Sequence, residues 1–216
     1  MQTLDRIKLI NRALVGIGGG AIQTLEDETD AAEAAVMGYD TVIEDLLSRY
    51  PWHFNQFSVQ LSKQPDPPAR MWKAKFKMAP ARLGPPRAVW RTATDQTPLT
   101  SYEIELDCLL ADSDTLFATF GTMTDPNVWP AWFRKLAILA LQSEYALSIR
   151  ENIQLARAKH DEAYGPEAYG GLGGQMAVCR QMDSQARPSP QLMQANPLVD
   201  SMSIGSGAFG EIAPGW

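Results

Sequence analysis

The feature that most constrains the fold is a change of hydrophobic period along the chain. In residues 3–17, 30–50 and 130–164, apolar side chains recur every three or four positions, as on the buried face of a helix. Between about 52 and 122 apolar and polar residues instead alternate in short runs, which is typical of strands. The sequence therefore predicts an α+β fold, mainly α, in which a helical bundle carries an inserted antiparallel β region.

Turn and cap residues predict where the helices begin and end. The glycine-rich run 16–20 is expected to end the first helix, and Asp30 with Glu33 has the spacing of a capping box for the second. Pro51 disfavours helical geometry before it, so the second helix should end at Tyr50. Ser148 and Glu151 repeat the capping-box spacing, and the third helical region can therefore either continue or restart there.

Alternation and turn residues organise the middle of the chain. Strands are predicted at 52–61, 72–78, 102–110 and 115–120. The last two are separated by residues 111–114 and are expected to pair as a hairpin. The glycine and prolines at 84–86 predict turns rather than a strand.

Beyond residue 164 the composition becomes rich in Gly, Pro, Gln, Ser and Met, and the period is lost. Such a segment buries too little of its own surface to offset an ordering cost of about 1–2 kcal/mol per residue. We therefore expect a core at 1–164 and an extended C-terminal arm at 165–216 that docks on neighbouring subunits. Its apolar residues are the expected partner-binding contacts: Leu192, Met193, Leu198, Val199, Phe209, Ile212 and Trp216.

The strongest charge feature is a basic stretch without acidic residues between 70 and 91. Alternation predicts that its lysines face solvent or an acidic partner while the aromatic residues between them pack inward. The candidate contacts are Arg70, Lys73, Lys75 and Lys77, and the inward residues are Trp72, Phe76 and Met78. DNA contact is the alternative interpretation, because basic residues interleaved with aromatic ones also suit a nucleic-acid surface.

Motifs for catalysis and cofactor binding are missing from the sequence. The glycine-rich run follows a helix rather than a strand, so it predicts a turn and not a dinucleotide site. His53 is interpreted as a packed aromatic and His160 as part of a solvated helix face, and Cys108 and Cys179 as reduced thiols. We expect no enzyme activity, no cofactor, no metal and no membrane span, and the lack of a span predicts a cytoplasmic location.

One ordered set of residues resembles a known family. A helix ending in Ile17 and Gly18 is followed by Thr24, Leu25 and Glu26, then by an alanine-rich helix and by the sequence 52–55, which reads Trp-His-Phe-Asn. This order is similar to the opening of the tail tubular protein A family of tailed phages. A later block also resembles that family, through Pro130, Phe133, Arg134, Tyr164, Tyr169, Gly170 and Gly171. The resemblance covers most of residues 1–171 but neither residues 64–91 nor the tail.

The resemblance implies a structural head-to-tail adaptor, expected to form a dodecameric ring found in the virion neck. Its implied partners are other copies of itself, the portal protein, the tail tube or nozzle protein, and genomic DNA passing through the lumen without sequence recognition. The formal charge of −6 per chain suits a lumen through which DNA slides. The alternatives are another neck protein, such as a stopper or tail terminator, and a small nucleic-acid-binding protein or hydrolase.

Overall fold

The structure is a computed structural model of the 216-residue chain. It describes residues 5–186, apart from residues 28, 67, 69, 70, 96, 167 and 169. Helices make up 45% of the described residues and strands 18%, so the fold is mixed α+β and mainly α, as the sequence predicts. The compact unit extends to Asp183. Its helices are α1 (Arg6–Gly16), α2 (Asp30–Arg49), α3 (Ala131–Ser148), α4 (Ile153–Tyr164) and α5 (Gly174–Ser184).

The ends of α1 and α2 are set by local hydrogen bonds. Gly18 has φ of 73° and lets the amide of Gly19 reach back to the carbonyl of Leu14 at 2.8 Å, a left-handed helix end that favours glycine. The glycine-rich run is thus a helix end, as predicted. The cap of α2 was predicted one residue too late, because the hydroxyl of Thr29 accepts the amide of Ala32 at 3.2 Å.

The bundle core contains several large aromatic side chains. Trp52, which follows α2, is fully buried, and its indole nitrogen donates to the carbonyl of Leu46 at 2.8 Å. Its ring lies 5.2 Å from that of Phe133 and 5.8 Å from that of Trp132, both on α3. Tyr145, deeper along α3, donates its hydroxyl to the carbonyl of Ala35 at 2.7 Å. These contacts fasten α2 to α3.

The third helical region restarts. Helix α3 ends at Ser148, Glu151 takes a left-handed φ of 49°, and α4 begins at Ile153. The cap of α4 is Asn152, whose side-chain oxygen accepts the amide of Leu155 at 3.0 Å. The expected capping pair of Ser148 and Glu151 is therefore wrong, because Ser148 donates to the carbonyl of Glu144 inside α3.

The β region consists of two antiparallel sheets that share one apolar cluster. Its strands are β1 (Gln56–Gln60), β2 (Ser62–Lys63), β3 (Ala74–Lys77), β4 (Leu83–Trp90), β5 (Glu103–Glu105), β6 (Cys108–Ala111) and β7 (Phe117–Gly121). One sheet has the order β1-β7-β4 and the other β2-β3-β6-β5. Phe76, Leu109 and Phe120 are fully buried between them.

Two predictions about strand pairing are wrong. The expected hairpin between 102–110 and 115–120 does not form, because β7 pairs with β1 and β4 while β6 pairs with β3 and β5. Segment 102–110 is itself a hairpin that turns at Leu106, which has a φ of 52°. The second error concerns the prolines at 85–86, which were expected in a turn but lie within β4. The register of β4 shifts between Leu83 and Ala88, and an irregular stretch of this kind tolerates residues without an amide hydrogen.

The extended arm was predicted to begin at residue 165, whereas α5 forms at Gly174–Ser184 and packs on the bundle. Met176 and Cys179 are fully buried, and the thiol of Cys179 lies 3.2 Å from the carbonyl of Trp132. Two glycines allow the chain to return: a Cβ on Gly165 or on Gly174 would meet backbone atoms within 3 Å. The glycines here allow two backbone segments to pass close to each other. Composition alone therefore wrongly suggested an extended arm from residue 165.

Candidate functional site

The predicted basic strand has one buried and one polar face, as alternation requires. Ala74, Phe76 and Met78 are buried, whereas Lys73 and Lys77 are exposed and Lys75 is half-buried. Trp72 is also half-buried, and its indole nitrogen donates to the carboxylate of Glu103 at 2.9 Å. The predicted orientation of the strand is therefore confirmed, with Trp72 less enclosed than expected. Arg70, the fourth candidate contact, lies outside the described residues.

The cations of this stretch serve different purposes. Lys73 binds the Asp114 carboxylate at 2.6 Å, and Lys63 binds the same carboxylate at 3.2 Å. These two lysines keep the pKa of Asp114 below its usual value, first through their hydrogen bonds and then through their charge. Within the described chain, Lys75 and Lys77 form no ion pair. On this strand, Lys75 and Lys77 are therefore the lysines whose charge is not paired with a carboxylate, and they do not form a continuous basic strip.

Arg87 is a structural residue that joins the β region to the bundle. Its guanidinium donates to the carbonyl of Trp52 and the side-chain oxygen of Asn55, both at 2.9 Å, and to the carbonyl of Tyr50 at 3.3 Å. Burial is the main cause that lowers its pKa below the usual value. Gly121 on β7 leaves room for the guanidinium, because a Cβ there would lie 2.6 Å from one of its nitrogens. Arg87 belongs to the basic stretch 70–91 in sequence, but its guanidinium is engaged within the fold.

A second buried contact ties α5 to the turn after α2. The Asp183 carboxylate, almost fully buried, accepts the backbone amide of His53 at 3.1 Å and lies 2.8 Å from Nδ1 of its ring. The His53 side chain is 32% exposed, so it is a polar link and not the packed aromatic that the sequence suggested. Arg180 adds a cation–π contact, 5.2 Å above the ring of Tyr50.

An imidazole oriented by a buried carboxylate also occurs in catalytic triads. Among the described residues, no hydroxyl or thiol completes such a triad through a hydrogen bond to the His53 ring. Cys179 lies one turn before Asp183, yet its thiol is buried against Trp132, and burial raises its pKa to about 11. A thiol of that kind is a poor nucleophile. The pair therefore acts as a cross-link in the fold.

Sequence reasoning missed a basic groove between α1 and α3. The groove has a volume of about 430 Å³, and Arg12, Arg134 and Lys135 surround a floor that includes Ile138 and Leu139. In the described part of the chain, no carboxylate lies within ion-pair distance of these three cations. Gln142 also lines the groove. Its side-chain amide packs against Gly16 of α1, where a Cβ would leave it no room. Arg12 is more than 120 residues from the adjacent Arg134 and Lys135, so no local charge pattern predicts the groove.

An acidic surface lies where α2 begins. It contains a depression of about 360 Å³ that is lined by Glu26, Asp27 and Glu33. The apolar side chains of Leu25 and Met37 also line it and are 39% and 66% exposed. Asp27 is held in place, since its carboxylate accepts the amide of Gln23 at 2.8 Å and the hydroxyl of Thr24 at 2.6 Å. These hydrogen bonds lower the pKa of Asp27, so the carboxylate carries its charge at neutral pH.

The remaining predicted contacts lie outside the described residues. They are the arm residues Leu192, Met193, Leu198, Val199, Phe209, Ile212 and Trp216. Both cysteines are free thiols, as predicted. No cluster of metal-ligating side chains occurs in the described ranges, and no helix there is long and apolar enough to cross a membrane. No protein-family model matches the sequence, and no curated protein matches it either.

Proposed function

We propose that this chain is a structural head-to-tail adaptor of a tailed bacteriophage, which assembles into a ring between the portal and the tail tube or nozzle. The observation that carries the proposal is where the residues of the family resemblance lie. Gly18 ends α1, Thr24 builds the turn before α2, and Trp52 occupies the centre of the bundle. Asn55 and Phe133 complete the same core. The resemblance therefore includes a helix end and core residues of the fold, together with the exposed turn residues Thr24, Leu25 and Glu26.

The order of elements supports the same function. Two helices, a β region and a second helical block follow one another, which is the architecture that the family resemblance implies. The half-buried guanidinium of Arg87 links the two parts. A ring subunit presents different surfaces to its neighbours, and a bundle with attached sheets offers such surfaces.

The partners follow from the role. We propose contacts with other copies of the chain, with the portal protein and with the tail tube or nozzle protein, and passage of DNA through the lumen without sequence recognition. A net charge of −6 per chain favours weak DNA contact, because an acidic wall repels phosphate. The buried polar residues described above are occupied with structural hydrogen bonds, which supports a role without catalysis.

Deleting the gene from the phage that encodes the chain tests this role. The proposal expects heads that fill with DNA but remain tailless and lose their genome, with infectivity restored by the wild-type gene supplied in trans. The restored virions should contain the chain in several copies, measurable by quantitative mass spectrometry. Infectious particles that lack the chain would contradict the proposal. Tailed particles that hold DNA but have an altered tail length would instead indicate a tail terminator.

A further inference from the structure

We infer that the acidic surface of one copy docks into the basic groove of the next copy, so that the chain associates with itself head to tail. The inference rests on the proposed ring and identifies the surfaces that would build it. The groove presents Arg12, Arg134 and Lys135, and the acidic surface presents Glu26, Asp27 and Glu33. The two sets carry equal and opposite formal charge, which favours a specific encounter between them.

Both surfaces combine their charges with unprotected apolar area. Leu25 is 39% and Met37 66% exposed beside the acidic residues, while Val15 is 61% exposed on the same helix as Arg12. Half-buried Ile138 and Leu139 line the groove floor. Charged rims around apolar centres are the usual composition of protein interfaces. A protein surface therefore fits this groove better than the uniformly charged backbone of DNA.

Among the described residues, no ion pair joins the acidic surface to the groove, so the two do not neutralise each other within one subunit. Successive side chains of a helix point about 100° apart. Asn11 exchanges two hydrogen bonds with the backbone of Ile22, at 2.8 and 2.9 Å, and so holds the loop that leads to the acidic surface. Arg12, the next residue, turns towards α3 and lines the groove.

This placement determines the kind of assembly. Contact between two different surfaces of identical subunits is heterologous, and repeating it about a closed rotation axis produces a ring. Contact of one surface with its own copy would stop at a dimer. The two surfaces are thus compatible with a closed ring, and they do not fix the number of its subunits.

Two charge reversals test the inference in solution with the full-length protein. Lys135→Glu damages the groove and Glu33→Lys damages the acidic surface, and both side chains are exposed, so folding should be preserved and is checked by circular dichroism. Sedimentation velocity should show that each variant alone associates at least roughly tenfold more weakly than wild type. The matched controls Lys77→Glu and Glu105→Lys, on exposed strand positions, should remain within about twofold of wild type.

Mixing the two variants is the decisive step. Each variant retains the surface that the other has lost, so an equimolar mixture should form one-to-one complexes at concentrations where neither variant associates alone. Failure of the mixture to associate would overturn the inference, as would a wild-type chain that stays monomeric at the highest attainable concentration. Weaker binding of a double-stranded DNA fragment by Lys135→Glu, with unchanged self-association, would also overturn it and would assign the groove to phosphate. None of these results depends on the virion, so the proposed function is tested separately.

Discussion

The helical bundle and the β region differ in the size of their apolar cores. The bundle encloses large aromatic side chains, and Trp52, Trp129, Phe133 and Tyr145 are all at most 1% exposed. The β region has a smaller cluster in which Phe76 and Phe120 are the only aromatic residues that the structure describes as fully buried. Hydrophobic stabilisation scales with apolar area removed from water. The bundle should therefore dominate the stability of the chain, with the β region depending on it.

The connection between the two regions combines an apolar contact with a polar one. Half-buried Leu83 on β4 packs against the bundle core. The half-buried guanidinium of Arg87, also on β4, donates hydrogen bonds to Tyr50, Trp52 and Asn55 in the turn after α2. Acceptors that lose such a donor cost free energy. The bundle therefore supplies the larger apolar core, and a few contacts hold the β region to it.

The largest effect is expected from Trp52→Ala in the bundle. The substitution removes a fully buried ring in contact with those of Phe133 and Trp132, together with the bond to Leu46. We expect a loss of about 4–5 kcal/mol in the free energy of unfolding, measured with urea. Trp72→Ala, at a half-buried strand position, is the control and should cost less than about 2 kcal/mol. Equal losses would show that the bundle is not the dominant region.

Phe76→Ala should cost about 3 kcal/mol, and the effect should be confined to the β region. Phe76 is fully buried in the cluster between the sheets and belongs to no contact of the bundle core. Proteolysis within 56–121 should become faster. The thiol of Cys179, on the buried face of α5, should remain slow to react with a thiol reagent. Faster labelling of Cys179 would show that the two regions unfold together.

Arg87→Met should destabilise the protein by about 2 kcal/mol, because it leaves the oxygens of Trp52 and Asn55 without their donor. The Met side chain keeps the apolar stem of the arginine, so the loss reports mainly the hydrogen bonds. Arg82→Met is the matched control, since Arg82 is bonded only to groups within the β region. Backbone hydrogen exchange should rise in residues 50–55 and in β4 for Arg87→Met alone.

The smallest effect concerns the surface ion pairs of the strands. Because Lys73 and Lys63 lower the pKa of Asp114 below its usual 3.8, this carboxylate stabilises the folded state above that pH. The contribution is lost as the pH falls through the lowered pKa. Asp114→Asn should leave the melting temperature at pH 7 almost unchanged and weaken its decline between about pH 4 and pH 2. Glu105→Gln, on the same sheet, should leave that decline intact.

Local patterns allowed much of the bundle to be predicted. The apolar stripes of α1 and α2 match their buried faces, including Ile10, Leu14, Tyr39, Ile43 and Leu46. The third helical block was also placed within one or two residues of its observed start and end. Helical hydrogen bonds join residues four apart, so a short window of sequence contains the information that determines them.

Pairing between distant segments was not predictable in the same way. Strand β7 pairs with β1, about 60 residues earlier, and no local signal favours that partner over its neighbour β6. The same reason hid the basic groove, whose Arg12 and Lys135 are brought together only by the packing of α1 on α3. Helix α5 was missed because its buried face depends on Trp132 and His53, which belong to earlier elements.

We propose that this chain is a repeated subunit of the phage neck, and a cryo-electron-microscopy map of that neck tests the proposal. We expect a ring between portal and tail into which the bundle and its β region fit as one subunit. In that ring, α1 and α3 of each copy should face the start of α2 in the next. A neck in which no ring accommodates this fold would contradict the proposed function.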